Sequence, residues 1–509
     1  MSSDSTPGSA SPTSPAEEIA KGYAFQGQAL ELGTVVVDGT SDPAAQIRIP
    51  LATVNRHGLV AGATGTGKTK TLQVIAEQLS AAGVPVLMAD VKGDLSGLSR
   101  PGQSSDKVTA RAKETGDNWD ASAFPVEFLS LGTKGIGVPV RATIASFGPI
   151  LLSKVLGLNS TQESTLGLIF HWAGQKNYEL YNLADLRAVI SHLTSDEGKA
   201  DLKDLGGVSA QTAGVILRAL VNLEAEGADT FFGEPELDPN DLLRLDDKGR
   251  GIISLLELGD QAARPVLFST FLMWVLSNLF TNLKEVGDID KPKLVFFFDE
   301  AHLLFTDASK AFLEQVEQTV KLIRSRGVGV FFCTQLPTDV PNEVLSQLGA
   351  RIQHALRAFT PDDQKALTKT VRTYPKTDVY DLASALTSLG IGEAVVTVLS
   401  ERGAPTPVAW TKLRSPRSLM AAIGDDAIGD AAKHSSLYGK YGTTKDSESA
   451  SEKLQAKKAQ DAPAGQPAEG KKPGWWKRFV NSRGFQTFLR ALGTELIRSM
   501  LGGSGRRRR

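Results

Sequence analysis

The stretch "HGLVAGATGTGKTKTLQVIAEQLSAAGVPVLMAD" restricts the fold of this chain more than any other part of the sequence. Its pattern predicts a strand at His57–Ala61, a glycine-rich turn, a helix over Lys68–Ala82 and a second strand at Val84–Ala89. Strand–helix–strand units of this kind build parallel sheets with right-handed connections. The stretch therefore predicts an α/β fold with a mostly parallel sheet.

The glycine-rich turn matches the pattern of a phosphate-binding loop. Its residues, "GATGTGKT", fit G-x-x-x-x-G-K-[ST] and lie between a strand and a helix, which is the context that the motif requires. Glycines let backbone N–H groups point at phosphate oxygens, and the helix N-terminus adds partial positive charge. The predicted nucleotide-binding residues are Gly62, Ala63, Thr64, Gly65, Thr66, Gly67, Lys68 and Thr69. In this motif the lysine reaches the β and γ phosphates and the threonine hydroxyl binds Mg²⁺.

Two adjacent acids follow a run of apolar residues in "LVFFFDEAH". A buried charge is costly unless it is paired or coordinated, and a solvated strand end would also explain the acids. A bound magnesium nucleotide gives each acid a role. Asp299, on a strand next to the phosphate-loop strand, is predicted to face the Mg²⁺, and Glu300 to polarise a water for attack on the γ-phosphate. The pair predicts an enzyme that hydrolyses ATP to ADP and phosphate.

Four further residues are candidates for catalysis. Gln335 ends a predicted strand beside the phosphates, where it would sense the γ-phosphate or orient the water, unless it is only a solvated strand end. Arg324 and Arg326 close the preceding helix, where cations are favoured in any case. An arginine finger is worth ~10³–10⁵ in rate in this chemistry. The sequence does not decide whether these two arginines act as a finger or only stabilise the helix end. Arg326 is the preferred finger, and Arg351 is the reserve candidate.

The remainder of the chain divides by composition and pattern. Thr69 and Asp299 are 230 positions apart, far more than a minimal nucleotide-binding core requires, which predicts an inserted helical subdomain. The expected segments are a disordered start (1–20), a short β-rich segment (21–56), the first part of the ATPase core (57–140), the helical insertion (141–250), the second part of the core (251–412), a C-terminal helical extension (413–442), a disordered linker (443–474) and a basic amphipathic tail helix (475–509).

Charge is distributed unevenly along the chain. The formal net charge is −1, so any basic surface for nucleic acid or acidic lipid must be local. Residues 471–509 carry eleven Lys and Arg against one Glu, and their apolar residues recur at helical spacing. Three interpretations of this tail remain open: a helix on a membrane surface, a helix that docks on a partner or on the protein's own assembly, and an arm for nucleic acid.

The cysteine content, the apolar segments and the first twenty residues indicate the cellular compartment of the protein. A single cysteine, Cys333, excludes an intramolecular disulfide, and its apolar surroundings favour a buried strand residue over a nucleophile. The strongest apolar window, Val266–Phe280, falls short of the roughly 20 residues that cross a bilayer, so we expect a buried helix and no integral membrane segment. The first twenty residues lack the charged start and apolar stretch of a secretory signal, which predicts a cytoplasmic protein.

Several motifs in a fixed order resemble those of the HerA/FtsK superfamily of ring-forming ATPases, and most of all its HerA-like (YjgR-type) branch. The resemblance extends from about Lys21 to Thr411. The motifs are "HGLVAGATGTGKT", "MADVKGDLSG", "LLSKVLGLNSTQESTLGLIF", "LVFFFDEAH", "RSRGVGVFFCTQLPTDVP" and "VLSQLGARIQHALRAFTPDDQKAL". The resemblance implies a RecA-like core, a hexameric ring and ATP bound between subunits.

The resemblance also carries roles onto matching residues. It places Asp299 and Glu300 in the magnesium and water roles and Gln335 as the sensor, and it implies that Arg324 or Arg326 acts on a neighbour's ATP. The expected function is an ATP-driven ring motor that moves double-stranded DNA, or another polymer, through its pore. The alternative is a nucleotide-dependent assembly switch that acts on protein or membrane complexes and moves no DNA.

Overall fold

A computed structural model describes residues 14–90, 93–201, 206–258, 265–287 and 289–460. Its strands join one sheet in the order β2-β1-β12-β11-β10-β3-β9-β8-β4-β7-β5-β6. The strands are β1 (Ala29–Val37), β2 (Thr40–Pro50), β3 (Gly58–Ala61), β4 (Val86–Asp90), β5 (Val126–Leu131), β6 (Val138–Val140), β7 (Ile253–Glu257), β8 (Leu294–Phe298), β9 (Val328–Thr334), β10 (Ala350–Gln353), β11 (Glu393–Thr397) and β12 (Ala409–Leu413).

The α-helices lie mainly between these strands. They are α1 (Pro15–Lys21), α2 (Lys68–Ala81), α3 (Asp106–Thr115), α4 (Ile144–Val155), α5 (Ser160–Gln175), α6 (Leu183–Thr194), α7 (Asp196–Asp201), α8 (Ala210–Ala225), α9 (Pro265–Asn282), α10 (His302–Phe305), α11 (Lys310–Ile323), α12 (Asn342–Leu345), α13 (Pro361–Val371), α14 (Leu382–Ser388), α15 (Asp425–His434), α16 (Tyr438–Tyr441) and α17 (Ala450–Gln460).

The sheet is parallel over eight strands and antiparallel at one end. Every pairing from β10 through β3, β9, β8, β4, β7 and β5 to β6 is parallel. The pairings that join β10, β11, β12, β1 and β2 are antiparallel. This confirms the predicted α/β fold with a mostly parallel sheet. It also means that the carboxyl ends of eight strands share one edge, where ligands bind in open α/β sheets.

The apolar run that precedes the two acids is buried on both faces of the sheet. In β8, Phe296 and Phe298 belong to a core cluster that also contains residues of the inserted helices. Val295 and Phe297 belong to the cluster on the other face, which contains residues of α2. A strand covered by helices on both sides has no solvent-facing position, and this explains why its sequence is continuously apolar.

One detail of strand order differs from the prediction. Asp299 was expected on a strand next to the phosphate-loop strand, β3, but β9 lies between β3 and β8. After β3 the chain passes over two strand positions to form β4, and β8 and β9 later fill those positions. Apolar patterning identifies a central strand but not its neighbours, because every central parallel strand is covered on both faces.

The helical insertion shares its core with the sheet. Residues 141–250 contain helices α4 to α8, and Leu166 of α5 and Ile216 of α8 are buried in the same cluster as Phe296 of the sheet. The insertion is therefore continuous with the ATPase core rather than a subdomain packed beside it. Further along the chain, β10 ends at Gln353, and the carbonyl of Ala355 then accepts a hydrogen bond from Ala63 of the phosphate-binding loop.

Two segments expected to be disordered contain helices. Residues 1–20 overlap α1, where Ser14 and Glu17 form a reciprocal capping box and Ile19 is buried. Residues 443–474 overlap α17, where Leu454 is only 3 % exposed. Composition missed both helices because a few anchored side chains, together with good caps, are enough to order a short segment against an existing core.

The second of these helices, α17, is held to the insertion. Ala450 N–H donates to the carbonyl of Glu179 at 2.9 Å, and the Ser449 hydroxyl donates to the carboxylates of Asp185 and Glu452. Residues 461–474 of the expected linker and the whole tail, 475–509, lie outside the described residues. Among the described helices, none is long and apolar enough to cross a membrane.

Leu454→Ala tests whether α17 belongs to the folded core. We expect the free energy of unfolding to fall by about 2–4 kcal/mol, because the substitution leaves a cavity between α17 and α6. Urea denaturation followed by far-UV circular dichroism measures the loss. Gln455→Ala, an exposed position on the same helix, is the matched control and should change stability little. Equal effects from the two substitutions would show that α17 does not pack as described.

Candidate active site

The phosphate-binding loop is fixed by hydrogen bonds to the strands on both of its sides. Gly62 N–H donates to the carbonyl of Thr334 on β9 at 3.2 Å, and Ala63 N–H donates to the carbonyl of Ala355, just after β10, at 2.8 Å. The Thr66 hydroxyl closes the loop on itself by donating to the Ala63 carbonyl at 2.8 Å. The loop is therefore preorganised by the sheet.

Two glycines of the loop are required by its geometry. A Cβ on Gly62 would lie 2.5 Å from Cβ of His354, which packs directly behind the loop. Gly67 has φ 112°, a conformation that other residues rarely adopt, and it precedes the first residue of α2. Its conformation turns the chain so that α2 begins with its N-terminus at the loop, where an anion is favoured.

Lys68 and Thr69, the first residues of α2, are both half-buried at the loop. The Lys68 ammonium donates to the carbonyls of Gly62 at 2.6 Å and Ala63 at 3.3 Å. It therefore lies over the hollow that the loop surrounds. The Thr69 hydroxyl is carried on the same first turn. Both side chains therefore lie at the N-terminal end of α2, next to the loop, and their roles toward phosphate and Mg²⁺ stay predictions.

The loop and the two acids are connected through the end of β9. Gly62 N–H binds the carbonyl of Thr334, and on the other side of the same strand Ala301 N–H donates to the carbonyl of Cys333 at 2.9 Å. Neighbouring strands lie about 4.8 Å apart, so the loop and the acids are separated by about 10 Å. Both stand at the carboxyl edge of the sheet.

The Cys333 thiol lies between the two halves of the site. It makes a side-chain hydrogen bond with Asp299, and it also feels the charges of Lys68 and Glu300. Burial and the Asp299 carboxylate raise the pKa of this thiol, and the Lys68 ammonium opposes them. Cys333 therefore stays protonated and buried, as predicted for a strand residue, and it marks how close Lys68 and Asp299 are.

Glu300 has an unusual backbone conformation. Its φ is 48°, in the left-handed region that a residue with a side chain seldom adopts, at a cost on the order of 1–3 kcal/mol. Its N–H donates a hydrogen bond to Asp299 Oδ1 at 2.9 Å, and its carboxylate lies 3.4 Å from His302 Nδ1. The Asp299 carboxylate thus contacts a backbone N–H and the Glu300 carboxylate faces His302, and these different contacts suit separate roles.

The donor atoms present fit a magnesium ion bound together with a triphosphate. Mg²⁺ takes oxygen ligands, keeps several waters, and needs only one or two protein ligands beside substrate phosphates. Thr69 and Asp299 supply a hydroxyl and a carboxylate of this kind. Across the described part of the chain, no group of three or more His, Cys, Asp or Glu side chains is arranged to hold a metal by itself.

Gln335 follows β9 directly and is exposed. Because β9 lies between the loop strand and the acid strand, the residue after it lies between the loop and Glu300 at the same edge. This position is compatible with the sensor role, which stays a prediction.

The three candidate arginines lie at the opposite edge of the sheet. Arg324 and Arg326 precede β9, whose seven residues extend about 20 Å, and Arg351 is near the amino end of β10. Arg324 and Arg326 therefore cannot reach the phosphate loop of their own chain, and Arg351 is directed to the carbonyls of Thr373 and Leu345. If one acts as a finger, it does so on a second copy of the chain.

The contacts of these arginines differ. Arg326 donates to the carbonyl of Leu283 at 2.8 Å and lies 5.3 Å from the ring centroid of Phe280. Arg351 donates to the carbonyls of Thr373 and Leu345. Arg324 is exposed at the end of α11. The structure therefore favours Arg324 over Arg326, the arginine that the sequence analysis preferred.

Two residues at the site were missed by the sequence analysis. His354 Nε2 lies 2.9 Å from the Thr71 hydroxyl of α2, and burial together with the Lys68 charge lowers its pKa to about 4, so it supports the loop as a neutral group. Arg357 donates to the Thr64 carbonyl at the tip of the loop at 3.3 Å. Both lie in "RIQHALRAF", where a histidine and an arginine after a buried strand were the available signal.

Another pair of acids lies further along the same edge. Asp90 and Glu257 end β4 and β7 and are direct partners in the strand register. Asp90 Oδ2 accepts hydrogen bonds from Leu95 N–H at 2.8 Å and Ser96 N–H at 3.1 Å, so it stabilises the start of the helical turn at Ser96–Ser99. Burial, and then the charges of Asp90 and Asp425, raise the pKa of Glu257 to about 8.

Residues 36–478 match the family described as Helicase HerA-like C-terminal. The chain belongs to this family. The resemblance inferred from the motifs is thereby confirmed, and the chain is a P-loop ATPase of the HerA type.

Curated relatives are distant but cover most of the chain. The DNA double-strand break repair helicase HerA of Saccharolobus solfataricus is 21% identical over 385 residues, which are 75% of this chain and 68% of that protein. The protein of the same name from Sulfurisphaera tokodaii is 23% identical over 382 residues, 72% of this chain and 68% of its own.

Solved structures with the same fold include the plasmid coupling protein TrwB. Its complex with the ATP analogue ADPNP superposes with a TM-score of 0.52 at 15% identity and covers 80% of this chain and 94% of that one. Its complex with ADP and Mg²⁺ gives 0.51, also at 15% identity, over 79% and 94%. At such low identity these superpositions show only that the fold is shared. The shared fold confirms the expected RecA-like core.

Glu257→Gln tests the protonation of the second acid pair. A carboxyl whose pKa rises from 4.5 to about 8 on folding binds a proton in the folded chain that it loses in the unfolded chain. Stability therefore falls as pH rises through that window and stays lowered above it. We expect the variant to lose less stability than the unchanged protein between about pH 5 and pH 8, by at most ~1.4 kcal/mol per pH unit.

Urea denaturation at several pH values measures this difference. Glu448→Gln, which removes an exposed carboxylate, is the control and should follow the unchanged protein. Parallel pH profiles for Glu257→Gln and the unchanged protein would mean that Glu257 is ionised in the folded chain.

Proposed function

We propose that this HerA-type ATPase is a ring motor that hydrolyses ATP with Mg²⁺ and moves double-stranded DNA through the pore of a homohexamer. The observation that carries the ATP-hydrolysing part is the end of β9. Its consecutive carbonyls at Cys333 and Thr334 bind the acid turn on one side and the phosphate loop on the other. A triphosphate held on the loop would have its γ end within reach of both acids.

The residues of the phosphate loop would bind and orient the nucleotide. Lys68 would exchange the carbonyls of Gly62 and Ala63 for the β and γ phosphate oxygens. Thr69 and Asp299 would hold Mg²⁺, which supplies charge neutralisation at the γ-phosphate. The bond of His354 to Thr71 keeps the first turns of α2 in place behind the loop.

Glu300 would activate the attacking water. Its carboxylate faces His302, whereas that of Asp299 accepts the Glu300 N–H, so one acid would serve the metal and the other would stay free to accept a proton. His302 Nδ1, 3.4 Å from this carboxylate, is placed to orient it. Gln335, between loop and acids, would hold the water in line with the γ-phosphate.

Assembly would complete the site. The exposed Arg324 lies about 20 Å from the loop of its own chain, so only a neighbour in a closed ring could receive it. A homohexamer is the ring size implied by the family. Arg326, bound to Leu283 and stacked near Phe280, would instead stabilise the end of α11.

The DNA substrate is supported by the curated relatives, which are named DNA double-strand break repair helicases. The near-neutral net charge requires the DNA-contacting surface to be local. The rival function, an assembly switch that moves no DNA, makes the opposite prediction for how ATP hydrolysis responds to DNA.

ATP hydrolysis should accelerate several-fold when double-stranded DNA is added. The stimulation should weaken steeply as salt rises from about 50 mM to about 200 mM, because phosphate contacts release counterions. A steady-state phosphate-release assay measures it. Hydrolysis that ignores DNA at every salt concentration would contradict the motor and favour the assembly switch.

Glu300→Gln serves as the control in this assay. It should bind a fluorescent ATP analogue as tightly as the unchanged protein and lose turnover with or without DNA. Native turnover in Glu300→Gln would show that another group activates the water.

Mixing two inactive variants tests whether Arg324 acts between chains. Lys68→Ala should lose nucleotide binding, and Arg324→Ala should bind ATP but lose turnover by ~10³-fold or more. In a mixed ring, the intact loop of an Arg324→Ala chain can meet the intact Arg324 of a Lys68→Ala chain. We expect hydrolysis to recover partly on mixing, and Arg326→Ala, the matched control, to retain turnover by itself. No recovery at any ratio would exclude Arg324 as a finger acting in trans.

A further inference from the structure

Two large apolar side chains beside the phosphate loop are unusually exposed. Phe359 is 87 % exposed and Ile391 is 76 % exposed, whereas no other large apolar side chain in the described residues exceeds the 50 % of Leu245. The two belong to different segments, one after β10 and one before β11. Their exposure is notable because the backbone of each segment is held in place by hydrogen bonds.

The segment that carries Ile391 is bound to the phosphate loop. Gly392 N–H donates to the Thr66 carbonyl at 3.1 Å. Arg111 of α3 holds the same segment from behind, donating to the carbonyls of Ile391 at 3.1 Å and Gly392 at 3.0 Å. The backbone of Ile391 is therefore fixed next to the loop, and only its side chain is left in solvent.

The segment that carries Phe359 is tied to the tip of the loop. Arg357 donates to the Thr64 carbonyl at 3.3 Å. Two residues later, Phe359 N–H donates to Asp363 Oδ2, the carboxylate that caps α13, at 3.1 Å. Consecutive Cα atoms are 3.8 Å apart, so the Cα of Phe359 lies within about 8 Å of that of Arg357.

Both side chains are carried by segments that adjoin the strands on the side of β3 away from the acids. β10 and β11 are on one side of β3, and β9 and β8, which lead to Gln335 and Asp299, are on the other. A triphosphate whose γ end faces Asp299 and Glu300 must carry its nucleoside toward the opposite side. That side is the one occupied by Phe359 and Ile391.

We propose that Phe359 and Ile391 form the subsite for the nucleobase of the bound nucleoside triphosphate. The base stacks on the ring of Phe359, and the branched side chain of Ile391 contacts its edge. Stacking on an aromatic side chain is favourable for any base because every base has a π-face. The proposal rests on the nucleotide-binding function proposed above, and it adds which residues hold the part of the nucleotide that the phosphate loop does not touch.

A comparison of two ligands separates the base from the phosphates. ATP and inorganic tripolyphosphate, each with Mg²⁺, are titrated into the full-length protein by isothermal calorimetry. The unchanged protein should bind ATP more tightly than tripolyphosphate. Phe359→Ala should weaken ATP binding about 10-fold and leave the affinity for tripolyphosphate unchanged. Phe359→Trp keeps an aromatic face and should bind ATP as the unchanged protein does.

The matched control is Leu245→Ala. Leu245 is the next most exposed of these side chains, and it precedes β7, at the edge of the sheet away from the site. The Leu245→Ala protein should bind ATP and tripolyphosphate as the unchanged protein does. Sedimentation velocity of each variant reports its state of assembly.

Three results would overturn the subsite. Unchanged protein that binds tripolyphosphate as tightly as ATP has no base subsite, although its phosphate loop works. Phe359→Ala protein that loses both ligands equally and also dissociates would show that this surface is a contact between copies of the chain. Unchanged protein that binds neither ligand would contradict the proposed nucleotide-binding function itself, and the subsite with it.

Discussion

The hydrogen bonds at the carboxyl end of β9 are the constraint on which the rest of the site depends. Two consecutive carbonyls, Cys333 and Thr334, point to opposite sides of the strand, as successive carbonyls in a strand do. One receives the N–H of Ala301 and the other the N–H of Gly62. This backbone arrangement sets the spacing between the phosphate loop and the acid turn without any contribution from their side chains. The reactive groups are therefore positioned by the sheet.

Burial at this edge explains why polar groups follow such apolar strands. β3, β8 and β9 are buried along their whole length, so the first residues beyond them emerge at a common boundary. An acid there is costly unless a cation or hydrogen bonds compensate it. The Asp299 carboxylate accepts hydrogen bonds from the Cys333 thiol and from the N–H of Glu300. Glu257, without comparable donors, instead keeps a proton, with a pKa of about 8.

Local motifs were predictable to the extent that their physics is local. The loop from Gly62 to Thr69, α2 and the strand before Asp299 follow from spacing and apolar pattern, and the structure places them as expected. Helices α1 and α17 were missed because composition averages over a stretch, whereas a capping box at Ser14 or a single buried Leu454 acts at one position. His354 and Arg357 were missed because their partners, Thr71 and Thr64, are almost three hundred residues away in sequence.

The sequence by itself determined the chemistry of the loop and the class of fold, because the complete pattern G-x-x-x-x-G-K-[ST] between a strand and a helix is typical of a loop that binds phosphates through its N–H groups and its lysine. Only the tertiary structure decided the neighbours. In the structure β9 lies between the loop and the acids, and Arg324 and Arg326 lie at the amino edge of the sheet. The segments of Phe359 and Ile391 lie beside the loop. The physical reason is that strand order depends on the packing of many helices on both faces, and no single segment encodes that packing.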